Sequence, residues 1–315
     1  MIPEAVDASF FTRHTHTVSP LLAPAPPLSE VAHLRLRSLA RNEDRFVLLS
    51  VFKWEHRKGW DVLLGAYWTA FTRDDAVVLV LRSYVPSWEI GPTSVERRVE
   101  SYAVTWCRMR RHPCRAGKSS NTEGRGGGVT QPNTHTTGAR SLLDYLAQVV
   151  VIEGGQSVEE GALSREDMRT LYSLAHVFVL PTRGEGWGLP CVEAMAMQLP
   201  VIVTNFSGPT AYLGIDNSFP LDYKLAGGMV EPDAQHLVRL MLHVYRHRHD
   251  ANEKGLRARE HVLRSFSPEN VTGLMFQRIR QLAIGRWGQP KNPPSGQDTF
   301  ATATQAPKNQ DRSEL

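Results

Sequence analysis

Short apolar runs alternate along this chain with longer stretches of helical periodicity. Phe46 to Phe52, Ala76 to Leu81, Val149 to Glu153, Val177 to Leu180 and Val201 to Thr204 are compact runs without polar alternation. Such runs read as strands buried on both faces. Between them the pattern turns helical. From Lys58 onward, Val62, Leu63, Ala66 and Tyr67 share one face. Val95 to Met109 and Ser141 to Gln148 read as helices, and Ser164 caps another running to about Leu174. A further helix starts near Leu189, and three more cover Glu231 to Arg246, Ala251 to Ser265 and Pro268 to about Ile284. Strand and helix in alternation indicate an α/β fold, a Rossmann-like parallel sheet with helices on both faces.

The pattern fails in three places. Residues 1–45 are Pro-rich and aperiodic around Pro20 to Pro27, with a short helical pattern from Ser29 to Arg41, and read as a linker. Residues 110–140 collapse into Gly, Ser, Thr, Asn and Arg, a composition that cannot repay its ordering entropy, and read as a disordered insertion. The tail 285–315 is rich in Pro, Gln, Asn and Ser and reads as disordered. One ordered body, 46–284, is left.

Composition narrows the function classes only a little. The 315 residues are 41% hydrophobic, enough for a real core. Much of the net charge of +4 comes from Arg108, Arg110, Arg111, Arg115 and Lys118, so it does not argue for nucleic acid. No apolar run reaches the roughly eighteen residues of a membrane span, and the N-terminus lacks the pattern of a signal peptide. Three cysteines (Cys107, Cys114, Cys191) cannot all pair, and none has a partner at zinc-ribbon spacing. A reducing, cytoplasmic compartment is the simplest reading, and no metal is expected.

The candidate chemistry sits in Pro181 to Pro200. This stretch leaves a strand, passes Gly184, Gly186 and Gly188, and enters a helix, with Glu185 before it and Glu193 read as lying in its first turn. The glycines are expected to adopt backbone conformations closed to other residues. Pro190 suits a helix start, and the free N–H groups there suit phosphate oxygens. Glu185 and Glu193 are acceptors for sugar hydroxyls, so phosphate and polyol recognition meet in one loop. Parallel sheets bind ligands at the carboxyl ends of their strands, which brings Lys53, Lys58, Glu185 and Glu193 to one rim. Each has a plainer reading. Glu193 also suits a helix start, Lys53 a solvated loop, and Trp187 a core aromatic. Asp74 and Asp75 read as a turn, and His176 as a structural histidine.

Gly184-Glu185-Gly186-Trp187-Gly188-Leu189-Pro190 followed by Glu193-Ala194-Met195-Ala196 resembles the E-x7-E signature of retaining glycosyltransferases of the GT-B fold, family 4. Phe52 to Gly59 looks like the basic strand-to-helix turn of that family, and Ser207-Gly208-Pro209-Thr210 like its next glycine loop. The resemblance implies that Glu185 bonds the transferred sugar, with the backbone of Gly186, Trp187 and Gly188 around sugar and diphosphate. Gly184 and Leu189 flank that contact. It implies Glu193 on the ribose hydroxyls and Lys58 on the diphosphate, with catalytic roles for Glu185 and Lys58. Two departures stand out. The family pairs this lysine with an arginine about six positions earlier, where this chain has Phe52, leaving Lys53 as the substitute; and Ala211 stands close to a common glutamate. The base is usually read around Glu153 to Gln156.

In that family Ile2 to Asp7 resembles the crossover between an N-terminal acceptor half and a C-terminal donor half. The implied chain is therefore the donor half of a GT-B enzyme that moves a hexose from a nucleoside-diphosphate sugar to an acceptor hydroxyl with retention. No metal or other cofactor is implied. The alternative is a non-catalytic nucleotide-sugar-binding subunit that needs a separate acceptor-domain partner protein.

Overall fold

The computed structural model describes residues 4–7, 10–11, 45–91, 94–110, 146–154 and 163–287. The insertion read at 110–140 lies almost wholly outside these residues, as do most of the linker and nearly all of the tail. The chain divides into two units, Met1–Thr272 and Gly273–Leu315. The sheet and the candidate site belong to the first. In the second, the described part continues a helix whose Leu274, Met275, Phe276, Ile279 and Leu282 are exposed.

Five strands fall where the apolar runs place them: β1 Phe46–Lys53, β2 Val77–Tyr84, β3 Val149–Glu153, β4 Val177–Leu180 and β5 Val201–Thr204. A sixth, β6 Phe219–Leu221, extends the edge. The spatial order is β3-β2-β1-β4-β5-β6, and every neighbouring pair is parallel. Strand order therefore runs outward in opposite directions from β1 and β4, and the crevice between them is the topological switch point.

The crossover helices are α1 Trp60–Ala70, α2 Val95–Arg110, α3 Arg165–Leu174 and α4 Leu189–Ala196. Right-handed crossovers running in opposite directions put α1 and α4 on opposite faces of the sheet. Ser164 caps α3 as expected, its hydroxyl accepting from Asp167 N at 3.1 Å. Beyond β6 come an antiparallel hairpin, β7 Tyr223–Ala226 with β8 Met229–Pro232, and then α5 Ala234–Arg246, α6 Arg248–Ser265 and α7 Pro268–Trp287. The helix read from Glu231 starts instead at Ala234, because Asp233 accepts from His236 N at 2.9 Å and caps it there. The helix read over Ser141 to Gln148 falls mostly outside the described residues, and 146–148 run into β3 without helical structure.

The core is continuous through the sheet. Leu48, Leu49, Leu79, Leu81, Phe178 and Ile202 are essentially inaccessible. On the α1 side Trp54 stacks on Trp60 with ring centroids 4.7 Å apart, and Trp60 meets Tyr102 edge-on at 5.2 Å. His176 is structural, its Nδ1 accepting from Val47 N at 3.0 Å. Asp75 closes a turn by accepting from Thr72 N at 2.7 Å. Part of the stretch read as linker is anchored: Val6 and Phe11 are buried, Val6 N donates to Phe266 O at 3.0 Å, and Phe11 meets Tyr172 edge-on. Cys191 is a buried free thiol, whereas Cys107 is disulfide-bonded.

Candidate functional site

Three loops leave the carboxyl ends of β1, β4 and β5 and lock together. The first makes a short 3-10 turn, His56–Lys58, and reverses at Gly59, whose φ of 69° is left-handed. A Cβ on Gly59 would stand 1.8 Å from the carbonyl oxygen of Pro181, so only glycine lets the β1 loop lie on the β4 loop. The two are then stitched by backbone and side chain. Arg183 N donates to Arg57 O at 2.7 Å, Thr182 Oγ1 donates to the same oxygen at 3.1 Å, and Arg57 Nη1 donates to Gly184 O at 2.7 Å. The β5 loop closes from the other side, with Gly208 N donating to Glu185 O at 3.0 Å.

Behind this contact lies Arg183, almost fully buried. Its guanidinium takes Asp61 with both oxygens at 2.8 Å, Glu231 at 2.8 and 2.9 Å, and His56 O at 2.8 Å. Burial works against the Asp61 carboxylate, but Arg183 outweighs it and holds that carboxyl below its ordinary value. One side chain thus ties α1, β8 and the glycine loop together. Its partners lie far away in the sequence, and nothing local singled it out.

The glycines divide by role. Gly188 has φ 88° and caps α4, with a Cβ there falling 2.8 Å from the Tyr212 hydroxyl. Gly184 and Gly186 have ordinary φ, contrary to expectation, and a Cβ on either would meet nothing within 4 Å. They face open space, which suits close approach by a ligand.

A cavity of about 300 Å³ opens at the ends of β1, β2 and β4, on the switch point. Its lining is Val51, Phe52, Lys53, Lys58, Arg82, Tyr84, Met168, Leu180, Glu185 and Pro190. Lys58 Nζ donates to Glu185 Oε2, and Arg57 Nη1 stands 3.8 Å from the other oxygen. Both Lys58 and Glu185 side chains are 12% exposed, so the pair is formed at the rim of the core. Lys53 reaches the cavity, but its ammonium lies over the exposed Trp88 ring at 5.6 Å.

The remaining sequence-derived positions sit beside the cavity rather than in its wall. Leu189 opens α4 and is partly exposed. Trp187 is a core aromatic, edge-on to Tyr212 and Phe266, and its carbonyl accepts from the Tyr212 hydroxyl at 2.8 Å. Glu193 is in the second turn of α4, not the first, and is largely buried. Burial pushes its carboxyl up, while the Tyr172 hydroxyl, donating at 2.8 Å, partly holds it down. The Cys191 thiol in the first turn of α4 is pushed up to about 12 by burial and stays protonated, which removes it as a nucleophile. Arg57 and Arg183 brace these loops and Arg82 lines the cavity, and sequence reading singled out none of the three. Glu153 caps α2 through Val95 N at 2.7 Å, and the rest of the segment read as base-binding, 155–156, lies outside the described residues.

Residues 160–259 match the family described as Glycosyl transferases group 1. The chain carries a glycosyl transferases group 1 domain. That match holds both glutamates and the three glycines, while the Lys53–Lys58 turn and Arg82 precede it. The chain is similar to human alpha-1,3/1,6-mannosyltransferase ALG2, 28% identical over 120 residues, which is 38% of this chain and 27% of that protein. Sucrose-phosphate synthase from Thermosynechococcus elongatus superposes with a TM-score of 0.57 at 19% identity, over 90% of this chain and 52% of that one. HepE from Anabaena, solved with UDP and glucose, superposes with a TM-score of 0.53 at 12% identity, over 88% of this chain and 55% of that one. The fold of the chain is that of GT-B proteins, and the chain spans about half the length of those structures.

Proposed function

We propose that this domain binds a nucleoside-diphosphate sugar at the switch-point cavity and serves retaining transfer of a hexose to an acceptor hydroxyl. The observation that carries the reading is the Lys58–Glu185 pair at the carboxyl ends of β1 and β4. A cation suited to phosphate and a carboxylate suited to sugar hydroxyls stand in contact, with the open faces of Gly184 and Gly186 alongside.

In this reading the arriving donor exchanges the Lys58–Glu185 contact for its own. Lys58 moves onto a diphosphate oxygen and offsets the charge that builds on the leaving nucleotide. Glu185 accepts from hydroxyls of the sugar, and Glu193 accepts from those of the ribose. Lys58 and the uncapped start of α4 supply the positive charge, so turnover proceeds without a metal ion. The Anabaena protein crystallised with UDP and glucose supports the donor class, and the human mannosyltransferase supports a hexose. An acceptor-binding half, in the same polypeptide or in a partner protein, completes the enzyme.

Glu185→Ala and Glu193→Ala test the assignment. Each is expected to weaken nucleotide-sugar binding by about tenfold or more in calorimetry, the scale of losing hydrogen bonds to a charged group. Unchanged affinity in both variants overturns it. Transfer activity that survives EDTA supports metal independence, and activity restored only by a divalent ion rejects it.

A further inference from the structure

Two arginines of this domain are buried, and they are in opposite states. Arg183 uses its guanidinium fully, with five hydrogen bonds to two carboxylates and a carbonyl. Arg82, on β2 beside Val51 of β1, is 7% exposed and among the described residues makes a single hydrogen bond, Nη1 to Ser83 O at 3.3 Å. No carboxylate among the described residues comes within 4 Å of it. Glu153, on the adjacent strand, is committed to the start of α2, where it accepts from Val95 N and Ser94 Oγ. A guanidinium has five donors in a fixed fork. Four of them bond no described residue and are left to the cavity, in a place where burial already disfavours the charge. Arg82 also lines the cavity that holds Lys58 and Glu185.

A largely buried cation with no carboxylate beside it is costly to hold, and an anion entering the cavity would offset that cost. The cavity carries Lys53, Lys58 and Arg82 against one carboxylate, Glu185, which Lys58 already engages. Lys53 is turned toward Trp88 and solvent, and a lysine has no fork. We propose that Arg82 is the bidentate phosphate ligand of this site, taking the oxygens of the donor diphosphate from the neighbouring strand. Phe52 stands where the sequence resemblance looked for that arginine. The fork is thus supplied from β2 rather than from the β1 loop, and Lys58 faces the same group from the other wall. The inference rests on the donor-site reading above.

The experiment is calorimetry of the protein with UDP, GDP and ADP and with the matching nucleosides, for the wild type, Arg82→Met and Arg82→Lys. Wild-type protein that binds none of the diphosphates defeats the donor-site reading itself. Given wild-type binding, Arg82→Met is expected to lose about tenfold or more in diphosphate affinity with nucleoside affinity unchanged. Arg82→Lys falls between the two, because it restores charge without the fork. The ligand-free melting temperature of Arg82→Met is expected at or above that of the wild type, since a largely buried charge with no carboxylate beside it has been removed. Diphosphate affinity unchanged in Arg82→Met, or lost equally for nucleoside and diphosphate, overturns the proposal. If Arg82→Met does not fold, Arg82→Lys decides: reduced diphosphate affinity supports the role and full affinity overturns it.

Discussion

Glu193 is a carboxyl in a place that resists its charge. Its carboxyl is raised by burial, with one strong compensating hydrogen bond from Tyr172 at 2.8 Å. A raised carboxyl takes up its proton at a higher pH in the folded chain than in the unfolded one. Above the folded value, keeping Glu193 ionised therefore costs stability, and that cost is relieved as pH falls toward the ordinary value of 4.5. Glu193→Gln removes the cost while keeping an acceptor for Tyr172. The variant is expected to melt above the wild type at neutral pH, and the gap is expected to close as pH falls to about 4.5. Melting curves of both proteins across this range check it, and a constant or widening gap at low pH contradicts it. At this scale the sequence was readable where residues act through spacing. The eight-residue step from Glu185 to Glu193 and the Pro190 helix start are local signals. Arg57, Arg82 and Arg183 were not readable, because their roles depend on partners or vacancies set by the fold. Arg183 finds Asp61 and Glu231 at separations of 122 and 48 residues.

At the level of elements, the loops matter more than the strands that carry them. Strands β1 to β5 were legible because buried parallel strands are written as continuous apolar runs. The edge strand β6 was not, since it is three residues long with Pro220 in the middle, a residue tolerated at sheet edges. The β7–β8 hairpin was missed because Tyr223 to Ala226 is exposed throughout and shows no apolar face. Glycines could be counted but not sorted. Gly59 is expected to be the structural one: Gly59→Ala combines left-handed backbone with a Cβ 1.8 Å from Pro181 O. It is expected to cost about 3 kcal/mol or more, as both strain and overlap with backbone contribute. Gly184→Ala meets nothing within 4 Å and is expected to change stability by less than about 0.5 kcal/mol. Its effect belongs to ligand binding, where the added methyl enters the open side of the loop. Denaturant unfolding of the two variants separates the roles, and equal stability losses contradict the division.

For the molecule as a whole, every charged group lining the cavity is presented from the carboxyl edge of one sheet. Lys53 and Lys58 follow β1, Arg82 and Tyr84 end β2, and Glu185 follows β4. The crevice where strand order reverses collects them, and the contact of the β1, β4 and β5 loops holds them in place. In the proposed reading, such an arrangement would grip a donor from one side. Transfer also needs the acceptor hydroxyl aligned against the sugar and water kept away from it. The structures that share this fold are about twice as long as the stretch they share with it, this chain spanning 52% of the synthase and 55% of HepE. These 315 residues, purified alone, are therefore expected to bind a nucleoside diphosphate tightly and to turn over its sugar slowly or not at all. Supplying an acceptor-binding half, as an upstream extension or a second chain, is expected to restore transfer without tightening nucleotide binding. Calorimetry for the nucleotide and a release assay for the diphosphate separate the two steps. Rapid release by these residues alone would mean that the sheet edge is sufficient for the chemistry, and would move the catalytic burden onto Glu185, Lys58 and Arg82.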